Sequence, residues 1–216
     1  MSRRAHLRVA AIALVSLALT GAAAAMPAAS AQPRPYQPVV WRDSVALGQP
    51  TDGALVRGTV LPAKGLRFFT WDPERHRSPS PIWRRYATDR LIRVLLRVSI
   101  EFARAHPGAA RLGIGDLSRP RGGRWPAQRG PRLLHASHQN GLDADVYYPR
   151  RDRRELRASR VGQIDRGLAQ DLVDRFVRAG AQAIFVGPRT GLRGPRGVVS
   201  PLRLHDDHLH VRIARR

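Results

Sequence analysis

Five of the chain's eight histidines fall in two short segments, HASHQNGLDADVYYPR (135–150) and HDDHLHVRI (205–213). With the aspartates of the first segment, they put His135, His138, Asp145, His205, His208 and His210 where imidazole nitrogens and a carboxylate can hold a divalent cation or move a proton. Scattered surface histidines do not group in this way. The grouping predicts a zinc site with a base beside it, and so hydrolytic chemistry.

Strand periodicity gives this a physical form. His208 and His210 alternate with Leu209 and Val211, and Asp143 and Asp145 alternate with Ala144 and Val146. On strands, the polar set of each segment shares one face and the apolar set enters the core. Two neighbouring strands can then aim imidazoles and carboxylates at one point. His138 precedes Asp145 by seven residues, with Gly141 between them to turn the chain. Two neutral imidazoles and one carboxylate leave a fourth position open to water, as in catalytic rather than structural zinc.

The elements that must position these groups are legible in outline. Short strands are expected at LVRGTVL (55–61) and RFFTW (67–71), around the turn residues 62–65. Leu91, Leu95, Val98 and Phe102 recur at helical spacing, predicting a helix that starts at Ile82 or Thr88 and ends at His106 before Pro107-Gly108. A buried strand is expected at RLGIGD (111–116), ending on Asp116, then a long loop to Leu134. The basic stretch 149–166 reads as a solvated face, 167–180 as a second helix closed by Gly180, and QAIFVG (182–187) and His208 to Ile213 as strands. No repeat is evident. These elements predict one α+β domain, residues 44–216, with a central antiparallel sheet and flanking helices.

Residues 1–31 carry Arg3, Arg4 and Arg8, then the apolar run VAAIALVSLALTGAAAA, then Ala29-Ser30-Ala31. This is the pattern of a cleaved secretory signal, with cleavage after Ala31. The apolar run is short of the roughly 20 residues that a membrane span needs. Ser2-Arg3-Arg4-Ala5-His6-Leu7-Arg8 also resembles a twin-arginine export motif, departing from it at His6, where an aromatic or large apolar residue is usual. Residues 32–43 are proline-rich and are expected to form a linker. The expected location is the periplasm, cell wall or extracellular space, with no membrane association after cleavage.

There is no cysteine, so neither a thiolate nucleophile nor a thiolate ligand is available, and any metal is held by nitrogen and oxygen. The formal net charge is +22, almost all from arginine, with Lys64 the single lysine. Such charge would ordinarily suggest nucleic acid. Export removes nucleic acid from reach and makes an anionic cell-wall surface the expected partner. The sequence shows no G-x-S-x-G elbow, H-E-x-x-H helix or P-loop.

The segments His135-x-x-His138-Gln-x-Gly141-Leu-Asp143-x-Asp145 and His205-x-x-His208-x-His210-Val-Arg closely resemble the penicillin-insensitive murein endopeptidases. These are part of a wider zinc-peptidase group with lysostaphin, the D-Ala-D-Ala carboxypeptidases and dipeptidases, and the hedgehog signalling domain. Weaker similarity runs from about Ser44 to Ile213. The resemblance implies a hedgehog/D-Ala-D-Ala-peptidase-like fold and one zinc ion per chain, held by His138, Asp145 and His210. It implies His208 as general base, His205 assisting it or stabilising the oxyanion, and His135 lining the site or adding a ligand. Asp143 and Asp116 would orient ligand imidazoles. Peptidoglycan stem peptides would be the substrate, with Arg119, Arg121 and Arg124 offered as carboxylate-binding groups. Where some relatives carry cysteines and further acidic or histidine residues, this chain has RRDRRELRASR, which puts a second metal in doubt. Two other readings stay open: a D-Ala-D-Ala carboxypeptidase or dipeptidase, and a wall-binding module that has lost catalysis.

Overall fold

In the computed structural model, residues 36–126 and 133–215 are described. The expected signal (1–31), the first part of the linker (32–35) and the end of the long loop (127–132) lie outside them. In chain order the elements are β1 (Val45–Gln49), β2 (Asp52–Val56), β3 (Thr59–Val60), β4 (Phe68–Thr70), β5 (Tyr86–Ala87), α1 (Asp89–Ala105), β6 (Leu112–Ile114), β7 (Trp125–Pro126) and β8 (Leu133–His135). They continue with β9 (Asp143–Tyr147), α2 (Arg166–Arg178), β10 (Ala181–Val186), β11 (Val199–Pro201) and β12 (His208–Ile213). Among the described residues, no helix is long and apolar enough to cross a membrane.

Six strands form one sheet in the order β11-β10-β12-β9-β6-β4. Its inner pairs are antiparallel, as expected, but β4 pairs with β6 and β10 with β11 in parallel. The central sheet is therefore mixed rather than antiparallel. Between β4 and β6 the chain crosses through α1, and a long crossover of this kind is what lets a strand lie parallel to its neighbour. The expected strand at 55–61 is divided: Arg57 takes a left-handed backbone (φ 50°), separating β2 from β3.

Leu91, Ile92, Leu95, Val98 and Phe102 of α1 join Leu172, Val173 and Phe176 of α2 in one core with Ala144, Val146, Leu209 and Val211 of the sheet. Burying each large side chain contributes about 1.5–3 kcal/mol, which fixes the face that β9 and β12 give to the helices. Their polar residues must then project from the other face. The result is an α+β domain with a mixed sheet flanked by helices.

Helix α1 begins where Thr88 caps it, its hydroxyl accepting from the Leu91 amide at 3.3 Å. In its first turn, the Asp89 carboxylate accepts from Ser44 Oγ at 3.0 Å, from the Asp43 amide at 3.1 Å and from Thr59. Partial burial would raise the pKa of Asp89, but these bonds outweigh it and hold the carboxyl below its ordinary value. A depressed folded-state pKa stabilises above the unfolded value, and that contribution is lost as pH falls through the folded one. Asp89→Asn is expected to cost about 1–2 kcal/mol near neutral pH. The gap to the parent should close below about pH 4, read from urea unfolding across pH; a gap independent of pH would refute the assignment.

Candidate metal centre

The pairing of β9 with β12 sets the site. Its register places His210 opposite Asp145, Arg212 opposite Asp143 and His208 opposite Tyr147. Arg212 bonds the Asp143 carboxylate at 2.7 Å, and the other oxygen of Asp143 accepts the His138 amide at 3.0 Å. That bond fixes the loop bringing His138 over the sheet. Gly141 supplies the turn at φ 77°, and His138 itself sits at φ 67°, a region that non-glycine residues occupy at a cost and mainly at functional sites.

The His138 ring is fully buried. Its Nδ1–H donates to the Leu117 carbonyl at 2.5 Å, so the lone pair is on Nε2, 3.3 Å from Asp145 Oδ1. His210 Nδ1 is 3.3 Å from the same oxygen, and its Nε2 lies 3.2 Å from Asp143 Oδ1. His138 Nε2 and Asp145 Oδ1 are both buried with no hydrogen-bond partner, which is costly unless something else satisfies them. Ligands about 2.0–2.1 Å from a tetrahedral ion stand about 3.3–3.4 Å apart. The distance of each imidazole nitrogen from Asp145 Oδ1 fits that of two ligands sharing a divalent cation.

His135 approaches from the other side. His135, His138 and Asp145 are the groups whose ligand atoms all lie within 4.8 Å of one another among the described residues, although His135 Nδ1, 3.9 Å from Asp145 Oδ2, stands farther from that carboxylate than His210 Nδ1 does. The Nε2 of His135 is bound at 2.8 Å to Asp116 Oδ2. Asp116 has no exposed surface and also accepts two bonds from Arg84, itself fully buried. The two acids expected to orient ligand imidazoles are placed differently: Asp116 bonds the His135 ring directly, while Asp143 holds the His138 backbone and faces His210.

On the third side, His208 Nε2 is 3.6 Å from Asp145 Oδ1, and its Nδ1–H donates to Asp207 Oδ1 at 2.7 Å. Asp207 Oδ2 pairs in turn with Arg157 at 3.0 Å. His205 donates Nδ1–H to the Arg203 carbonyl at 2.9 Å, and the Tyr148 hydroxyl anchors the His205 carbonyl at 3.1 Å. The rings of His205 and His208 lie 4.9 Å apart.

These charges act together. Burial alone would lower the pKa of His138, yet Asp145, with Asp143 and Asp116, raises it to about 9. Burial would raise Asp145, but His138 and His208 hold it well below the usual carboxylate range. The cluster therefore attracts a cation, and proton and metal compete for one nitrogen. His205 differs: burial lowers its pKa, and the neighbouring His208 and His210 lower it further, leaving a neutral ring.

The arginines expected to bind substrate are not gathered here. Arg119 folds back onto the Arg124 carbonyl at 2.7 Å, and Arg121 lines a separate cavity with Arg57 and Tyr86. The stretch 149–166 is only partly a solvated face, because Arg150, Ala158 and Ile164 are buried and Arg157 reaches Asp207. Sequence reasoning missed Asp207, Arg157 and Arg84. Asp207 lies between two histidines of HDDHLH, one residue ahead of β12, and that adjacency is its signal; the arginines have none in the sequence.

The family model of the penicillin-insensitive murein endopeptidases matches residues 46–180, more than half of the chain. No curated protein matches it. The matched span holds Asp116, His135, His138, Asp143 and Asp145, while His205, His208 and His210 lie beyond it and join the cluster through the β9–β12 pairing.

Proposed function

This chain belongs to the penicillin-insensitive murein endopeptidase family, and we propose that it is an exported zinc metallopeptidase that cleaves peptide cross-links of peptidoglycan, at the D-alanyl to meso-diaminopimelyl bond or a close variant. The observation that carries this reading is that His138 Nε2 and His210 Nδ1 each lie 3.3 Å from Asp145 Oδ1, with His135 closing on His138 and Asp145, beside a histidine with a carboxylate behind it. A cysteine-free set of two imidazoles and one carboxylate suits catalytic zinc. When bound there, zinc polarises the scissile carbonyl and lowers the pKa of water toward about 7.

The residues of the chain do the rest. Asp207 holds the Nδ1–H of His208, leaving Nε2 free to take a proton from the attacking water and return it to the leaving amine. Neutral His205 presents an unprotonated Nε2, which suits it to assist the base rather than donate to an oxyanion. The Leu117 carbonyl fixes the tautomer of His138, while Asp143 Oδ1 stands 3.2 Å from His210 Nε2. The signal-like residues 1–31 support export, and the excess of arginine supports residence on an anionic wall.

The test is incubation of the mature protein with purified cross-linked muropeptide dimers, with and without chelator and added zinc, reading products by mass. Conversion to monomers, abolished by chelator and restored by zinc, is expected. Intact dimers with zinc fully bound would sink the endopeptidase reading. Loss of a terminal D-alanine from monomeric pentapeptides instead would make the protein a carboxypeptidase.

A further inference from the structure

A cavity of about 690 Å³ opens between the segments 157–161 and 203–207, the second of which leads into β12. Its lining includes Arg157, Arg160, Arg189 and Arg203 against two acids, Asp206 and Asp207. Both acids are already engaged. Asp207 holds His208 and Arg157. Asp206 accepts the Arg189 amide at 3.1 Å, while the Arg189 guanidinium stays 79% exposed and 4.0 Å away. Among the described residues, Arg160 and Arg203 have no carboxylate partner, so the cavity presents guanidiniums whose charge nothing in its walls offsets.

Asp207 is the shared wall. One of its oxygens faces His208 and the metal cluster, and the other faces Arg157 and the cavity. A peptide lying across the histidines therefore has the cavity next to it. At the mouth stands Leu204, 90% exposed and at φ 68°, a strained backbone displaying an apolar side chain to solvent. Guanidinium forks match planar carboxylates, and several of them around one concave surface favour an anion there.

We infer that this cavity is a substrate subsite that binds a free carboxylate of the peptide next to the scissile bond, with Leu204 packing on the aliphatic stem of the same residue. The inference rests on the peptidase reading above and names the charge that the substrate must carry. It also gives the basic stretch 149–166 a role in recognition, through Arg157 and Arg160.

The test uses the full mature chain and a fluorescent stem tetrapeptide, the monomeric product of cross-link cleavage, either with free carboxylates or with all of them amidated. By anisotropy, the free acid should bind at least about tenfold more tightly than the amide. The double variant Arg160→Ala/Arg189→Ala should bind the acid as weakly as the parent binds the amide, whereas Arg104→Ala, on α1, should change nothing. Equal affinities for acid and amide in the parent would overturn the subsite, as would equal loss of both in the variant. A turnover arm separates the two readings. If the parent cleaves no dimer while the acid–amide difference persists, the peptidase reading fails and the cavity is a carboxylate-binding site without the scissile bond beside it. If parent and double variant cleave free-acid dimers with equal kcat/KM, the subsite fails and the peptidase stands.

Discussion

Asp145→Ala is expected to lose metal retention and turnover together, whereas His208→Ala keeps its metal and loses turnover alone. Asp145 supplies the only carboxylate among the three converging ligand groups, and its Oδ1 lies 3.3 Å from both ligand nitrogens. Removing it leaves two buried imidazoles with no anion between them. Changing a residue that merely orients a ligand already costs about 10–100-fold in metal affinity, so loss of a ligand should exceed about 100-fold. His208 Nε2 stands 3.6 Å from the same oxygen, farther than the two proposed ligand nitrogens at 3.3 Å, and is the group we propose as the base, with Asp207 behind its Nδ1–H. Its loss should lower kcat about 10²–10⁴-fold. Metal content after dialysis, measured beside dimer cleavage, separates the roles. Equal metal loss in the two variants would refute this division, and full metal retention in Asp145→Ala would move the ion toward His135.

The residues of the site were legible because a strand has period two: the alternations His208/His210 and Asp143/Asp145 already placed each set on one face. Gly141 likewise marked the turn it makes. What one strand's sequence cannot give is register, and register is what sets His210 opposite Asp145. Helix α1 was legible from its apolar spacing and the Pro107-Gly108 stop, and it begins at the second of the two expected starts, just after Thr88. The parallel edges of the sheet were not, because nothing local tells where a crossover lands. The stretch 149–166 read as solvated because its composition is basic, yet Arg150 pairs with Asp152 and Arg157 with Asp207, so its charges are partly spent on the fold. Long-range partners of this kind have no periodic trace in a sequence. The same holds for Arg84 and Asp116, 32 residues apart.

Arg84→Met should be among the most destabilising single changes in the domain. The Arg84 side chain has no exposed surface; it bonds both oxygens of Asp116 at 2.7 and 2.6 Å, pairs with Glu74, and lies 3.9 Å from Asp72. Its guanidinium also stands over the rings of Trp83 and Trp125, at 4.6 and 5.5 Å from their centroids. Methionine restores much of the packing but leaves the buried carboxylates of Asp116 and Asp72 without their cation. Breaking a buried pair on one side costs about 3–5 kcal/mol, more than the intact pair contributes, because the remaining charge stays desolvated. For a domain of this size, that lowers Tm by roughly 6–20 °C. Arg84→Met/Asp116→Asn should recover part of the loss by removing one stranded charge, and a single variant within about 1 kcal/mol of the parent would refute the argument. The same pair reports on the metal centre, because Asp116 also holds His135 Nε2 at 2.8 Å. If His135 is a ligand, releasing it in Asp116→Asn should weaken metal binding about 10–100-fold. If the ion rests on His138, Asp145 and His210, affinity should hardly move while stability falls.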